Sequence, residues 1–161
     1  MKRIYSVLVE NRSGVLMKVA GLFARRNYNI DSLAVGETED PNVSCITIVS
    51  SGDERTIEQI EKQLNKKLDV IKVKVFEEKN AVDKELMLVK VKYNRNNRRD
   101  IMEICELGGA TIVDYSNNQM ILQVCDTPEK TAQFIKMLKG ISIVEVARTG
   151  ALALQKCIDN E

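Results

Sequence analysis

The sequence contains no histidine and no tryptophan, and only 4% of its residues are aromatic. Without histidine the chain has no Ser-His-Asp or Cys-His catalytic group, and it lacks the side chain most often used for general acid and base catalysis near neutral pH. The same absence excludes most kinds of zinc site. No other acid–base cluster or cofactor-binding loop is recognisable, so the chain is not expected to be an enzyme.

An excess of charge of one sign is also absent, because 24 Lys and Arg residues and 23 Asp and Glu residues leave a formal net charge of +1. Such a chain has no long-range field that would attract a phosphate backbone or anionic lipid. No apolar run approaches the roughly 20 residues that cross a bilayer, and no signal-peptide pattern is recognisable before the first strand. We therefore expect a cytoplasmic protein that binds neither nucleic acid nor membrane.

Cysteine is sparse, and the four cysteines are too far apart to form a CxxC pair. They are Cys45, Cys105, Cys125 and Cys157. Three of them fall within apolar strand or helix patterns, where unpaired cysteine is usually a small core residue. We expect all four to be reduced residues of the core.

The sequence does contain a hydrophobic pattern that predicts strands and helices in alternation. The first four predicted strands are 4–9, 30–35, 43–49 and 70–76. Apolar residues three and four positions apart predict one helix from Val15 to near Arg26 and a second helix after Asp53. The inward side chains are expected to be Leu16, Val19, Ala20 and Phe23 in the first helix, and Ile57, Ile60, Leu64 and Leu68 in the second.

The same order of elements follows a second time. The strands are predicted at 85–93, 110–115, 120–125 and 143–146, and the helices at 98–107 and from Pro128 onward. Two βαββαβ units predict an α+β chain with two tandem ferredoxin-like domains, each an antiparallel sheet with both helices on one face. The other face of each sheet needs cover from another domain or another chain, so a dimer is expected.

The domain boundaries follow from the repeat and from a charged stretch without periodicity. The first domain is expected at 1–77, a linker at 78–84, and the second domain with a C-terminal tail at 85–161. Lysines alternate with apolar residues in 70–76, which is typical of an edge strand protected from pairing with another chain.

The best candidate site is the loop at 11–16, which joins the first strand to the first helix. The first N–H groups of a helix have no intrahelical partner and carry partial positive charge, so a carboxylate can bind there. Gly14 would allow close approach to the backbone, and Asn29 could meet an amino group. On spacing alone, the alternative is that Ser13 caps the helix and Gly14 only fits a turn.

Four segments of the sequence together resemble the small regulatory subunits of acetolactate synthase. They are 3–16 (RIYSVLVENRSGVL), 21–33, 57–64 and 144–150. Because several unrelated fragments agree at consistent spacing over nearly the whole chain, the resemblance is far more specific than the loop alone.

The resemblance implies an amino-acid-binding ACT domain at the N terminus, a second ferredoxin-like domain, and a homodimer formed through the ACT domains. Such subunits are not catalytic. They bind a catalytic large subunit, activate it, and confer feedback inhibition by valine in branched-chain amino acid biosynthesis. Thiamine diphosphate, Mg²⁺ and FAD are expected on that catalytic partner, and no cofactor is expected in this chain.

The resemblance also implies which residues bind the effector. Asn11, Gly14, Val15 and Leu16 match the loop that holds the effector carboxylate in the family. Asn29 and Ile30 match the segment that the opposing chain contributes. The physical interpretation of the loop and the resemblance therefore agree on one site.

Three other functions occur on such a fold, and the sequence argues against two of them. A stand-alone ACT-domain sensor that regulates another enzyme or gene expression would share the same binding chemistry. An acylphosphatase is faintly suggested by Arg12 beside Gly14, but it needs only one βαββαβ unit and a loop richer in glycine. RNA binding on such a sheet needs stacking aromatics, and 43–49 has none.

Overall fold

The structure, a computed structural model, describes residues 1–158, so the last three residues of the expected second domain, 159–161, lie outside the described residues. The chain forms two compact units. The first consists of Met1–Asp83 together with residues 151–158, and the second is Lys84–Gly150. Both are antiparallel sheets with two helices, which confirms the predicted α+β class and the ferredoxin-like repeat.

The first unit contains four strands in the order β2-β3-β1-β4. Its elements are β1 (Lys2–Glu10), α1 (Val15–Arg25), β2 (Ser32–Glu37), β3 (Val43–Ser51), α2 (Glu54–Asn65) and β4 (Val70–Phe76). Helix α2 begins as predicted, because the Asp53 carboxylate accepts a hydrogen bond from the amide of Thr56 at 2.7 Å. Strand β4 lies at an edge of the sheet, as its lysines predicted.

Both helices pack on one face of this sheet and form the main core of the unit. Strands β1 and β3 contribute Tyr5, Val7, Val9, Ile46 and Ile48, and the helices contribute Val15, Val19, Leu22, Phe23, Ile57, Ile60 and Leu64. The rings of Tyr5 and Phe23 meet edge to face, with centroids 6.1 Å apart. Burial raises the pKa of Tyr5 to about 12, so its hydroxyl is neutral at physiological pH.

Two of the expected inward side chains point elsewhere. Leu16 is 41% exposed, because α1 presents the neighbouring stripe that begins at Val15 to the sheet. Val15 and Leu16 are adjacent apolar residues about 100° apart around the helix, so the sequence pattern fits either of them as the inward residue. Leu68 is 99% exposed because α2 ends at Asn65, and Leu68 belongs to the turn that follows.

The opposite face of the first sheet is partly covered by chain from beyond the expected domain boundary. Ile4, Val49 and Phe76 form a second buried cluster with three alanines. These alanines are Ala81, Ala151 and Ala153. The amide of Ala151 also donates a hydrogen bond to the Ser32 hydroxyl at 2.9 Å. The C-terminal segment that was assigned to the second domain therefore packs on the first.

The expected linker at 78–84 is not an unstructured connection. It forms a 3₁₀ turn at Glu78–Asn80 and then the start of β5 (Ala81–Lys92). The other elements are α3 (Arg98–Gly108), β6 (Thr111–Tyr115), β7 (Gln119–Asp126), α4 (Pro128–Met137), β8 (Ile143–Arg148) and β9 (Leu152–Gln155). The sheet of the second unit has the order β6-β7-β5-β8. Strand β9 belongs to the first unit and pairs with β5, which begins in that unit.

The second unit has its own core between its sheet and its two helices. The buried residues are Met87, Val89, Val91, Ile101, Cys105, Met120, Leu122, Val124, Phe134 and Leu138. Helix α3 begins at Arg98 and α4 at Pro128, as predicted. Gly109 ends α3 with a φ of 67°, and the Thr127 hydroxyl accepts a hydrogen bond from the amide of Lys130 at 3.3 Å at the start of α4.

The cysteines are unpaired, but most of them are not core residues. Cys105 is buried, and burial raises the pKa of its thiol. Cys45 is half-buried, and Cys125 and Cys157 are exposed. Cys125 differs from the expectation because it follows Val124 near the end of β7, and successive strand residues face opposite sides of the sheet.

Candidate functional site

The loop between β1 and α1 owes its shape to Gly14, which precedes the first residue of the helix. Gly14 has a φ of 86° and a ψ of −9°, a left-handed conformation that glycine adopts without strain. No side chain caps the helix, so the alternative in which Ser13 serves as the cap does not hold. A Cβ added at Gly14 would meet no atom within 4 Å, so the space beside it is open.

The start of α1 leaves backbone amides available for a ligand. The amide of Val15 reaches only the carbonyl of Arg12, at 3.4 Å, and the amide of Lys18 bonds to the carbonyl of Gly14 at 3.1 Å. The amides of Leu16 and Met17 have no hydrogen-bond partner within residues 1–158. No acidic side chain lies in the first turn to compensate their partial positive charge. The arrangement can therefore accept a small carboxylate.

Basic side chains near the loop are already paired with acidic ones. Arg12 forms an ion pair with Glu10, and the ammonium of Lys18 lies 3.0 Å from the carboxylate of Asp69. An acylphosphatase would need the loop arginine free to hold a phosphate, so the pairing of Arg12 argues against that function. A ligand carboxylate at this loop would depend mainly on backbone N–H groups.

Asn11 is held in place by the hairpin that joins β2 to β3. Its amide bonds to the carbonyl of Asn42 at 2.8 Å, and its side-chain Nδ2 donates to Glu37 Oε1 at 3.2 Å and to the carbonyl of Pro41 at 2.9 Å. No motif in the sequence marks Glu37 or Pro41 as part of a site. No local pattern could reveal them, because residues 26 and 30 positions apart meet only once the hairpin is formed.

Asn29 and Ile30 lie at the other end of the same sheet. The carbonyl of Asn29 accepts a hydrogen bond from the Ser50 hydroxyl at 2.6 Å, and Ser50 is paired with Arg3 near the beginning of β1. The 11–16 loop follows the end of this nine-residue strand, which is about 27 Å long. One chain therefore brings Asn11, Gly14, Val15 and Leu16 together, but it does not bring Asn29 or Ile30 to them.

The segment around Asn29 is well supported where it lies. Tyr28 packs against the first core and donates a hydrogen bond from its hydroxyl to Gln59 Oε1 at 2.8 Å, so it anchors this segment. Ile30 also packs partly against that core. Asn29 is exposed, and its Nδ2 donates to Asp31 Oδ1 at 2.5 Å. Its side chain lies at the surface, where another molecule can reach it.

Within residues 1–158, no group of three or more His, Cys, Asp and Glu side chains is placed to hold a metal ion. No helix in this part of the chain is long and apolar enough to cross a membrane.

Comparisons with known families match both units of the chain. A family model described as "AHAS small subunit-like ACT domain" matches residues 5–72. A second, described as "Small subunit of acetolactate synthase", matches residues 84–157. The two matches follow each other along the chain and leave only short segments outside them.

Individual relatives match over almost the full length. The probable acetolactate synthase small subunit of Archaeoglobus fulgidus is 44% identical over 154 residues, which cover 96% of each chain. The small subunit of acetolactate synthase isozyme 3 from Escherichia coli is 41% identical over 157 residues, covering 97% of this chain and 96% of its own. The crystal structure of the Thermotoga maritima acetolactate synthase small subunit has a TM-score of 0.93 at 37% identity and covers 99% of both chains.

Proposed function

Because the chain belongs to the family of acetolactate synthase small subunits, we propose that it binds a catalytic large subunit of acetolactate synthase in the cytoplasm and makes that enzyme sensitive to valine. The chain is a regulatory subunit and not a catalytic one. In this proposal it also raises the activity of its partner, and thiamine diphosphate, Mg²⁺ and FAD are held by the catalytic subunit.

The observation that carries the proposal is the start of α1. Gly14 opens the backbone, and the amides of Leu16 and Met17 have no partner within residues 1–158. These groups suit the carboxylate of a free amino acid, which needs no basic side chain at such a position. Exposed Leu16 would then lie beside the carboxylate site, where a branched aliphatic side chain can contact it.

The effector site requires a second copy of the chain. Strand β2 is at the edge of its sheet, and its outer side has no strand partner among the described residues. If two copies of β2 pair antiparallel about a two-fold axis, the start of one strand lies beside the end of the other. That pairing would bring Asn29 and Ile30 of the partner subunit toward the 11–16 loop, which explains why the two groups are apart in one chain.

A stand-alone amino-acid sensor is the second candidate, since the binding loop would serve it equally well. Copurification distinguishes the two functions. Recovery of a large thiamine-diphosphate enzyme with the tagged chain supports the proposal, whereas recovery of DNA or an unrelated enzyme supports the alternative.

Reconstitution with the catalytic subunit tests the function directly. The purified chain with pyruvate, thiamine diphosphate and Mg²⁺ should form no acetolactate. Added to the matching large subunit, it should raise the rate of acetolactate formation, and valine should then lower that rate. Acetolactate from the isolated chain, or a large subunit whose rate does not respond to the chain, would refute the proposal.

A further inference from the structure

The orientation of the Asn11 side chain is determined by its two partners. Both Glu37 Oε1 and the carbonyl oxygen of Pro41 are hydrogen-bond acceptors. Only the NH₂ group of Asn11 can donate to them. These two contacts alone therefore determine which end of the side-chain amide is Nδ2 and which is Oδ1. The amide oxygen Oδ1 must therefore point away from both partners. No donor within residues 1–158 bonds to it.

The charge beside Asn11 is not neutralised. Glu37 is exposed and has no ion-pair partner among the described residues, although Glu10 and Asp69 nearby are paired with Arg12 and Lys18. A carboxylate ligand would be repelled from the Asn11 side of the loop by Glu37, and a cation would be attracted to it. The charges of the loop thus favour an anion at the α1 amides and a cation beside Asn11.

We propose that Glu37 is a positioning residue for the effector site: it holds the Asn11 side chain so that Asn11 Oδ1 accepts a hydrogen bond from the α-ammonium group of the effector. The inference rests on the proposed function and assigns the two ends of the amino acid. Its carboxylate binds at the amides of Leu16 and Met17, and its ammonium binds at Asn11. Glu37 favours this orientation over the reverse one.

Valine inhibition of the reconstituted complex tests this assignment. Glu37→Ala removes both the acceptor and the charge, so the half-inhibitory valine concentration should rise by about tenfold, as expected for the loss of one charge-assisted hydrogen bond. Glu37→Gln keeps an acceptor for Asn11 and should recover part of that loss. Glu39→Ala is the matched control, because Glu39 is exposed in the hairpin loop just after Glu37, and it should leave valine inhibition unchanged.

A double-mutant cycle separates positioning from general damage to the hairpin. If Glu37 acts through Asn11, then Glu37→Ala should add less than about twofold to the effect of Asn11→Ala. A general weakening of the hairpin would instead make the two effects multiply, and that result would overturn the inference. Thermal unfolding of each variant should show that the first unit is still folded.

The ammonium assignment has its own probe in 3-methylbutanoate, which has the carboxylate and branched carbons of valine but no ammonium. It should inhibit the wild-type complex at least about tenfold more weakly than valine. Equal inhibition by the two compounds would overturn the inference, as would full valine sensitivity of Glu37→Ala. Failure of valine itself to inhibit the wild-type complex would instead contradict the proposed function.

Discussion

At the scale of single residues, Gly14 has two separate consequences. Its left-handed φ of 86° lets the chain turn sharply from β1 into α1 without a capping side chain. It also leaves open space beside the first helical amides. A substitution at this position can therefore act through backbone strain or through occupation of the ligand site, and the two effects can be measured separately.

Gly14→Asp should abolish inhibition at the valine concentrations that inhibit the wild-type complex, because it places a carboxylate where the effector carboxylate is proposed to bind. Two like charges about 4 Å apart at an effective dielectric constant near 20 repel by about 4 kcal/mol, and even half of that corresponds to about a thirtyfold loss of affinity. Gly14→Asn introduces a side chain of similar size without charge, and asparagine tolerates this conformation. The half-inhibitory valine concentration should rise much more for Asp than for Asn.

A substitution at Gly109 controls for the backbone strain and the added charge of Gly14→Asp, because Gly109 lies outside the proposed effector site. Gly109 also has a left-handed φ, of 67°, and open space beside it. Gly109→Asp therefore adds the same strain and the same charge at the end of α3, and it should keep wild-type sensitivity to valine. Unchanged valine inhibition in Gly14→Asp would mean that the loop is only a turn.

At the scale of elements, helix α4 is fixed to strands β5 and β8 by one buried carboxylate. Glu85 on β5 is 4% exposed, and its Oε1 accepts hydrogen bonds from Arg148 Nε at 3.0 Å, from Arg148 Nη2 and from the Thr131 hydroxyl. Thr131 is fully buried and also bonds to the carbonyl of Pro128. The Glu85 carboxylate thus helps to set the relative positions of β5, β8 and α4.

Glu85→Ala should lower the free energy of unfolding of the second unit by about 1.5–3 kcal/mol, the usual range for hydrogen bonds to a charged group. The loss should not reach the value for a fully buried ion pair, because the Arg148 side chain is 41% exposed and can be hydrated. Lys84→Ala is the control. It removes the exposed pair with Asp126 and should cost less than about 1 kcal/mol. Chemical denaturation followed by circular dichroism measures both, and equal effects would contradict this account.

The elements also show what sequence patterns can and cannot predict. The order of strands and helices along the chain, the edge position of β4, and the helix starts after Asp53 and at Pro128 follow from local chemistry, and the structure has them. In α1 the predicted inward residues Val19 and Phe23 are buried, but Leu16 was wrong, because its apolar neighbour Val15 takes the inward position at the start of the helix. The contact of Asn11 with Glu37 could not be predicted, because it depends on how the β2–β3 hairpin returns toward β1.

At the scale of the whole molecule, the path of the chain's end was the largest difference from the sequence prediction. Strand β9 has only four residues, and its position after Gly150 gave no periodic signal. Its Ala153 is nevertheless 6% exposed in the cluster with Ile4 and Phe76, whereas the next residue, Leu154, is 73% exposed. Small apolar residues at alternate positions let the strand lie close to the first sheet.

Ala153→Asp should destabilise the first unit by at least about 2 kcal/mol, because it buries a carboxylate in an apolar cluster that has no cation. Leu154→Asp places the same charge on the neighbouring exposed position and should have a small effect. The free energy of unfolding of the first unit, from chemical denaturation, distinguishes the two. Equal stability of both variants would mean that the C-terminal strand does not pack on the first unit in solution.

The most direct test of the central claim, that the effector site combines the 11–16 loop of one chain with Asn29 of another, is valine binding by mixed dimers. Gly14→Asp and Asn29→Ala chains should each bind valine weakly alone, the second less severely because it removes a hydrogen-bonding group without adding repulsion. After equal mixing and exchange, each mixed dimer should contain one intact site, so calorimetry should recover wild-type affinity at about a quarter of the sites. If the mixture binds no better than the separate variants, the site does not lie between two chains.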